Sequence, residues 1–296
     1  MNRLLSKSLW LLFLVTLSTI TAQENSFTLE EITGGSFRTE HLSALRSMNN
    51  GKEYSLHNYD RTNKVSTIDV YDYKSGEKVK TLVNSNNLKG IDYIISYEFS
   101  DDERKLILAT KLKQIYRHSS LGTYYVYDLN TKSLTLVSDN QIQEPTFNEN
   151  GTKVAFGFEN NLYIKDLNSG DTKQITSDGK INSIINGITD WVYEEEFGFV
   201  KAFDWNKSGD KIAYIRFDET NVPEFSMDIM GSDLYPTEQV FKYPKAGEKN
   251  AEVSLHIFDL VTDQSSKVAI SNFNNYYIPR IKWTEDNSLL SVQLMN

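Results

Sequence analysis

The sequence predicts an all-β fold, a partial β-propeller of four to five blades, and three observations carry that prediction. A hairpin signature recurs along the chain, a second strand signature falls between its copies, and helical periodicity is missing. The hairpin signature is an apolar residue, a polar turn rich in Asp, Asn or Gly, and then alternating apolar residues. It appears at Met48-Asn-Asn-Gly51, Phe99-Ser-Asp-Asp-Glu-Arg-Lys-Leu-Ile-Leu108, Phe147-Asn-Glu-Asn-Gly-Thr-Lys-Val-Ala-Phe156, Trp205-Asn-Lys-Ser-Gly-Asp-Lys-Ile-Ala-Tyr214 and Trp283-Thr-Glu-Asp-Asn-Ser-Leu-Leu290.

The second signature is a short strand that ends in aspartate and runs into a tight turn: Val70-Tyr-Asp-Tyr73, Val126-Tyr-Asp-Leu129, Ile164-Lys-Asp-Leu167 and Ile257-Phe-Asp-Leu260. Copies of the first signature start roughly 50 residues apart at first and wider later, which suits four antiparallel strands per unit with insertions in the later units. A β-sandwich gives its strands no reason to come in similar groups of four. The five prolines and the lack of any long Leu/Ala/Glu/Lys stretch leave room only for short helices. The last residues, Ser291-Val-Gln-Leu-Met-Asn296, lie inside an alternating strand, so the expectation is the N-terminal part of a longer protein with its ring unfinished.

The first 22 residues read as a secretory signal peptide. Arg3 and Lys7 precede the apolar run Ser8 to Leu17, and Ser18-Thr-Ile-Thr-Ala22 offers small residues for cleavage. The run is shorter than the roughly 20 residues that span a bilayer, and nothing later approaches that length. Residues 23–296 are therefore expected as an exported propeller domain, periplasmic or secreted, with no membrane partner. With no cysteine in the chain, a lipoprotein anchor, disulfides, thiolate metal sites and a thiol nucleophile are all excluded. Thirty-one Lys and Arg against 40 Asp and Glu leave a net charge of −9, which opposes a nucleic-acid partner.

Four histidines, His41, His57, His118 and His256, are scattered, and no nucleophile elbow, paired-histidine zinc motif or Gly-rich phosphate loop occurs. No catalytic residue, metal or cofactor is expected in this chain. Asp166-Leu-Asn-Ser-Gly-Asp171 has the look of a calcium loop but lacks its bidentate Glu. Asp72-Tyr-Lys-Ser-Gly-Glu77 puts a Lys in the same place, so a hairpin turn is the reading.

One stretch breaks the blade pattern. In Asn186-Gly-Ile-Thr-Asp-Trp-Val-Tyr-Glu-Glu-Glu-Phe197 three consecutive carboxylates, Glu194, Glu195 and Glu196, are flanked by Trp191, Tyr193 and Phe197. Packed aromatics would hold the acids in place, and adjacent carboxylates held together make sense where a cation relieves their repulsion. The competing reading is a solvated acidic helical turn. Arg117-His118 lies between two strands, where an Arg is most often a surface residue.

These residues, with Tyr116-Arg-His-Ser119 and Tyr243-Pro-Lys-Ala-Gly247, resemble the N-terminal propeller of the dipeptidyl peptidase IV branch of the prolyl oligopeptidase family. The resemblance runs from about residue 27 to the end. It implies an eight-bladed propeller capping an α/β-hydrolase domain whose Ser-Asp-His triad lies beyond Asn296. It also implies that Glu195 and Glu196 bind a substrate α-ammonium and that Arg117 contacts the substrate backbone. The implied activity is release of N-terminal dipeptides with Pro or Ala second. The implied partners are such peptides and a second copy of the chain, joined through an arm at about 218–250 placed between the fourth and fifth repeats. A prolyl tripeptidyl peptidase and a non-catalytic peptide- or protein-binding propeller are the alternatives. Phe197-Gly-Phe199 departs from mammalian members.

Overall fold

The computed structural model describes residues 26–39, 45–270 and 275–296, so the expected signal peptide at 1–22 and His41 lie outside the described residues. Two compact units divide at Ser43. In the first, a single helical turn, α1 (Leu29–Gly34), starts at a Thr28–Glu31 capping box and stops at left-handed Gly35.

The second unit is all-β. Its first sheet runs β1 (Arg46–Ser47), β2 (Glu53–Asp60), β3 (Val65–Asp72), β4 (Lys78–Asn84), each strand pairing antiparallel with the next. The second repeats this with β5 (Ser96–Phe99), β6 (Lys105–Gln114), β7 (Ser120–Asp128) and β8 (Leu134–Leu136). The third does so with β9 (Gln143–Phe147), β10 (Lys153–Phe158), β11 (Asn161–Asp166) and β12 (Thr172–Gln174). In the fourth, β14 (Phe203–Trp205), β15 (Lys211–Asp218), β18 (Glu252–Asp259) and β19 (Gln264–Lys267) follow the same order, and β13 (Ile184–Asn186) extends along the far end of β15. A fifth sheet consists of β20 (Tyr277–Trp283) and β21 (Leu290–Met295).

The arm forms its own hairpin, β16 (Glu224–Ile229) with β17 (Thr237–Lys242). It does not separate the fourth repeat from the fifth, as the sequence spacing had placed it. Because β15 and β18 pair along their whole length, the arm interrupts the fourth blade between its second and third strands.

In blades two, three and four, alternate residues of the second strand enter different cores, which is why these strands read as continuous apolar runs. Leu106 and Leu108 pack toward the first blade with Ile68 and Val83, whereas Ile107 joins Val126, Val154 and Phe156 on the opposite side. Ala155 and Ile212 belong to the core between blades three and four, and Ile215 and Phe217 to the one between four and five. Sheets two, three and four thus bury both faces against their neighbours, which a two-layer sandwich does not require of its sheets.

The two sequence signatures have distinct jobs. In three copies of the first, the polar residue after the aromatic is buried and closes the turn. Asn148 Oδ1 accepts the N–H of Thr152 and of Lys153 (3.0 and 2.8 Å), Asn206 Oδ1 that of Asp210 and of Lys211 (3.1 and 2.8 Å), and Ser100 Oγ that of Lys105 (3.0 Å). The same turns touch from blade to blade: Asn49 N–H donates to Glu103, Lys105 to the Gly151 carbonyl, Lys207 to Glu149, and Ser208 N–H to Asn287.

In the second signature, Asp72, Asp128, Asp166 and Asp259 each accept two N–H groups of the following turn. These bonds hold Asp72, Asp128 and Asp259 below the usual carboxylate range, while for Asp166 the Lys153 ammonium at 2.7 Å is the larger cause. Asp166 is a turn cap, as the turn reading of that loop had it.

Replacing Asn206 with Ala strands two backbone N–H groups in a buried turn. The expected loss is roughly 2–6 kcal/mol, since each orphaned donor costs about 1–3, measured by urea denaturation. A midpoint unchanged from wild type would show that the turn is not held this way.

Candidate functional site

Hairpin lengths in blades two and three decide what meets what. In blade three, β10 and β11 are six residues each and turn through Glu159 and Asn160, both at positive φ (46° and 60°), the signature of a tight two-residue hairpin. In blade two, β6 has ten residues and β7 nine, so its tip projects roughly 10 Å further at about 3.3 Å per residue. Reaching past the shorter hairpin, that tip meets the segment leading into blade four.

The tip is tied internally. Gln114 Nε2 donates to the carbonyls of Tyr116 and Arg117 (2.6 and 2.9 Å), and Ile115 N–H donates to the Ser119 carbonyl (2.9 Å).

On the blade-four side sits α2 (Trp191–Phe197), the helix of the glutamate triplet. Asp190 caps it by accepting the Tyr193 N–H (3.0 Å), and Gly198 ends it in the left-handed conformation at φ 68°. Tyr193 pins it down: its ring lies edge-on to Phe217 at 4.8 Å, and its hydroxyl accepts the Ile278 N–H (3.0 Å) from β20. Arg280 donates to the Phe197 carbonyl (2.9 Å) at the helix C-terminus, where a cation is favoured.

The helix gives the three glutamates three environments. Glu194 is 1% exposed, and its Oε1 accepts the N–H of His118 (2.6 Å) and of Ser119 (2.9 Å) in the blade-two tip. Glu195, with its side chain 17% exposed, pairs with Arg117 Nε at 3.0 Å. Glu196 is exposed and makes no hydrogen bond or ion pair with another described residue. The structure therefore joins two of the sequence-predicted residues, Arg117 and Glu195, and sets Glu196 beside them on the next helical position.

Behind the tip lies a cavity of about 150 Å³ with Tyr116, Asp190, Trp191, Glu219 and Lys242 in its wall. Arm residues pack on that wall: the Tyr243 ring stands 4.5 Å from Trp191, and Phe241 5.7 Å from Tyr116. Burial pushes Asp190 up to about 6, against the pull of the Tyr193 N–H. Burial, aided by the charge of Asp190 and opposed by Lys242, pushes Glu219 up to about 7. Tyr116 is driven to about 12 by burial and by the surrounding carboxylates.

A family model described as the dipeptidyl peptidase IV N-terminal region matches residues 100–296. The chain belongs to the dipeptidyl peptidase IV family. The crystal structure of Porphyromonas gingivalis dipeptidyl peptidase 4 superimposes with a TM-score of 0.85 at 36% identity, covering 92% of this chain and 39% of that one. A probable dipeptidyl-aminopeptidase B of Chaetomium globosum is 32% identical over 240 residues, 75% of this chain and 26% of its own length. The inactive dipeptidyl peptidase 10 of Mus musculus is 29% identical over 294 residues, 93% of this chain and 36% of its own length. The chain thus spans roughly a quarter to two fifths of these relatives. It corresponds to the family's N-terminal propeller region.

In this family member the three segments that carried the resemblance meet in space. Arg117 pairs with Glu195, and Tyr243 packs on Trp191 at the start of the triplet helix. The sequence reading missed the separate place of Glu194 and the two cavity acids. An Asp immediately before an aromatic-rich helical turn could have suggested Asp190 as a cap. Glu219 carries no local signal, because only the fold brings it under the cap of α2.

A carboxyl whose folded pKa is raised contributes stability that is whole below its unfolded value of about 4 and is lost as pH climbs through the folded one. Asp190 and Glu219 should therefore lower the thermal midpoint as pH rises from about 4 to about 7. Glu219→Gln should flatten the upper part of that fall and leave the protein more stable than wild type at pH 8, as read by melts across the range. Parallel curves for the two proteins would count against the buried acid.

Proposed function

We propose that this chain is the amine-recognising propeller of an exported dipeptidyl peptidase that releases N-terminal dipeptides with Pro, or less readily Ala, in second place. The observation that carries the reading is the meeting of Arg117 with Glu195 beside the exposed Glu196. A peptide N-terminus offers an ammonium and, three bonds from its nitrogen, a carbonyl oxygen. Glu195 and Glu196 match the first, and the Arg117 guanidinium matches the second.

Each carboxylate attracts an ammonium at 4 Å by about 4 kcal/mol at an effective dielectric near 20, before desolvation. The guanidinium is 72% exposed, so its pair with Glu195 is worth at most about 1 kcal/mol and opens readily to a ligand. Fixing the charged end of the peptide sets the distance to the scissile bond. Cleavage then falls to a serine activated by histidine beyond residue 296. The leader at 1–22 sends the protein to the periplasm or the medium.

The arm at 218–250 presents Met230, Leu234 and Tyr235 almost fully to solvent, which supports pairing with a second copy. Leu234→Glu should shift the full-length protein from dimer to monomer in light scattering. The 29% identity to a relative named inactive favours one second reading, a peptide-binding propeller whose downstream serine is lost.

Glu195→Gln in the full-length protein should lower kcat/KM for a Gly-Pro chromogenic substrate by about 10- to 150-fold, the value of a charge-assisted hydrogen bond. Undiminished kcat/KM would remove Glu195 from recognition. Absence of turnover in the wild type, with retained binding of a Gly-Pro peptide, would favour the non-catalytic reading.

A further inference from the structure

We propose that Glu194, the buried first member of the triplet, is a positioning residue that sets Arg117 opposite Glu195. This rests on the recognition role given to that pair. The Arg117 guanidinium touches only Glu195 among the described residues and is otherwise in solvent, so no packing of its own fixes it. What is fixed is the backbone that follows it. The N–H groups of His118 and Ser119 converge on a single oxygen, Glu194 Oε1, at 2.6 and 2.9 Å.

Hydrogen bonds to an ionised acceptor are roughly twice as strong as neutral ones. Here the acceptor sits in the middle of a helix that Tyr193 anchors in the core between blades four and five. Glu194 and Glu195 are adjacent on that short helix. The clamp and the ion pair therefore hold the same two elements, the blade-two tip and α2, one through backbone and the other through side chains. Cutting the clamp frees the tip, leaves two N–H groups without partners, and lets the long Arg117 side chain sample positions away from Glu195.

The prediction separates positioning from mere stability by a double-mutant cycle in the full-length protein. The readout is kcat/KM for the Gly-Pro chromogenic substrate, or Kd for a free-amine Gly-Pro peptide where turnover is absent. Glu194→Ala should lower it about tenfold or more in wild type, mainly through KM, and less than about threefold when Arg117→Ala is already present. Glu194→Gln, whose amide oxygen accepts the same two N–H groups, should stay within about threefold of wild type.

Equal losses in both backgrounds, or a Glu194→Gln as damaged as Glu194→Ala, would overturn the positioning role. If Glu194→Ala melts below the assay temperature, the same cycle with Glu194→Asp, which draws the acceptor back by one methylene, decides by the same criterion. A silent Glu195→Gln would defeat the recognition reading itself. An effective Glu195→Gln with no Glu194–Arg117 coupling would defeat only the positioning role.

Discussion

Burial of both faces of the inner blades, two to four, is the constraint on which the rest of the structure depends. Leu106, Ile107 and Leu108 show it within three residues, since the odd one turns toward blade three and the even pair toward blade one. A sheet so placed has no polar face to give to water, so its neighbours must be present on each side and the chain must lay the sheets down in order. Many of the polar side chains that these blades do bury close the turns. There Asn148 and Asn206 close hairpins, and Lys105 and Lys207 join one blade's turn to the next. Repetition of the turn chemistry therefore keeps the sheets aligned as well as separate.

Function enters where that regularity is broken. A long hairpin in blade two beside a short one in blade three lets residues about 75 positions apart in sequence meet without crossing a sheet. At the meeting point one helical turn carries three like charges, and each is handled differently. Two backbone donors satisfy Glu194, a guanidinium faces Glu195, and solvent covers Glu196. Three adjacent carboxylates would be costly if all were buried and indifferent if all were exposed. Graded burial spends the first on architecture and leaves two beside an open surface. The aromatic contacts of Tyr243 and Phe241 then bring the base of the arm against the same elements, so the arm and the charged site share a wall.

The cavity acids add a chemical signature to that wall. Asp190 and Glu219 approach one another only because the arm's base, the cap of α2 and the blade-two tip converge. Lys242 is the cation that offsets the burial of Glu219. Membership of the dipeptidyl peptidase IV family follows from the match over residues 100–296 and from the superposition on a bacterial dipeptidyl peptidase 4. The charge pattern of the site gives that relationship a physical content.

Much of this was written in the sequence. The hairpin signatures at Phe99, Phe147 and Trp205 and the strands ending at Asp128, Asp166 and Asp259 are local, because each turn is closed by hydrogen bonds within a few residues, and so they fixed the all-β repeat and its approximate count. The triplet was also legible as unusual in a repeating background, whereas Arg117 stood out only through the family resemblance. The sequence could not place the arm inside the fourth blade, since the pairing of β15 with β18 is a contact across the whole insertion. Nor could it divide the labour among Glu194, Glu195 and Glu196, which are chemically identical and adjacent. Their differences come from what faces them, the N–H groups of His118 and Ser119, the guanidinium of Arg117, or water, and only the packed chain brings those partners into place.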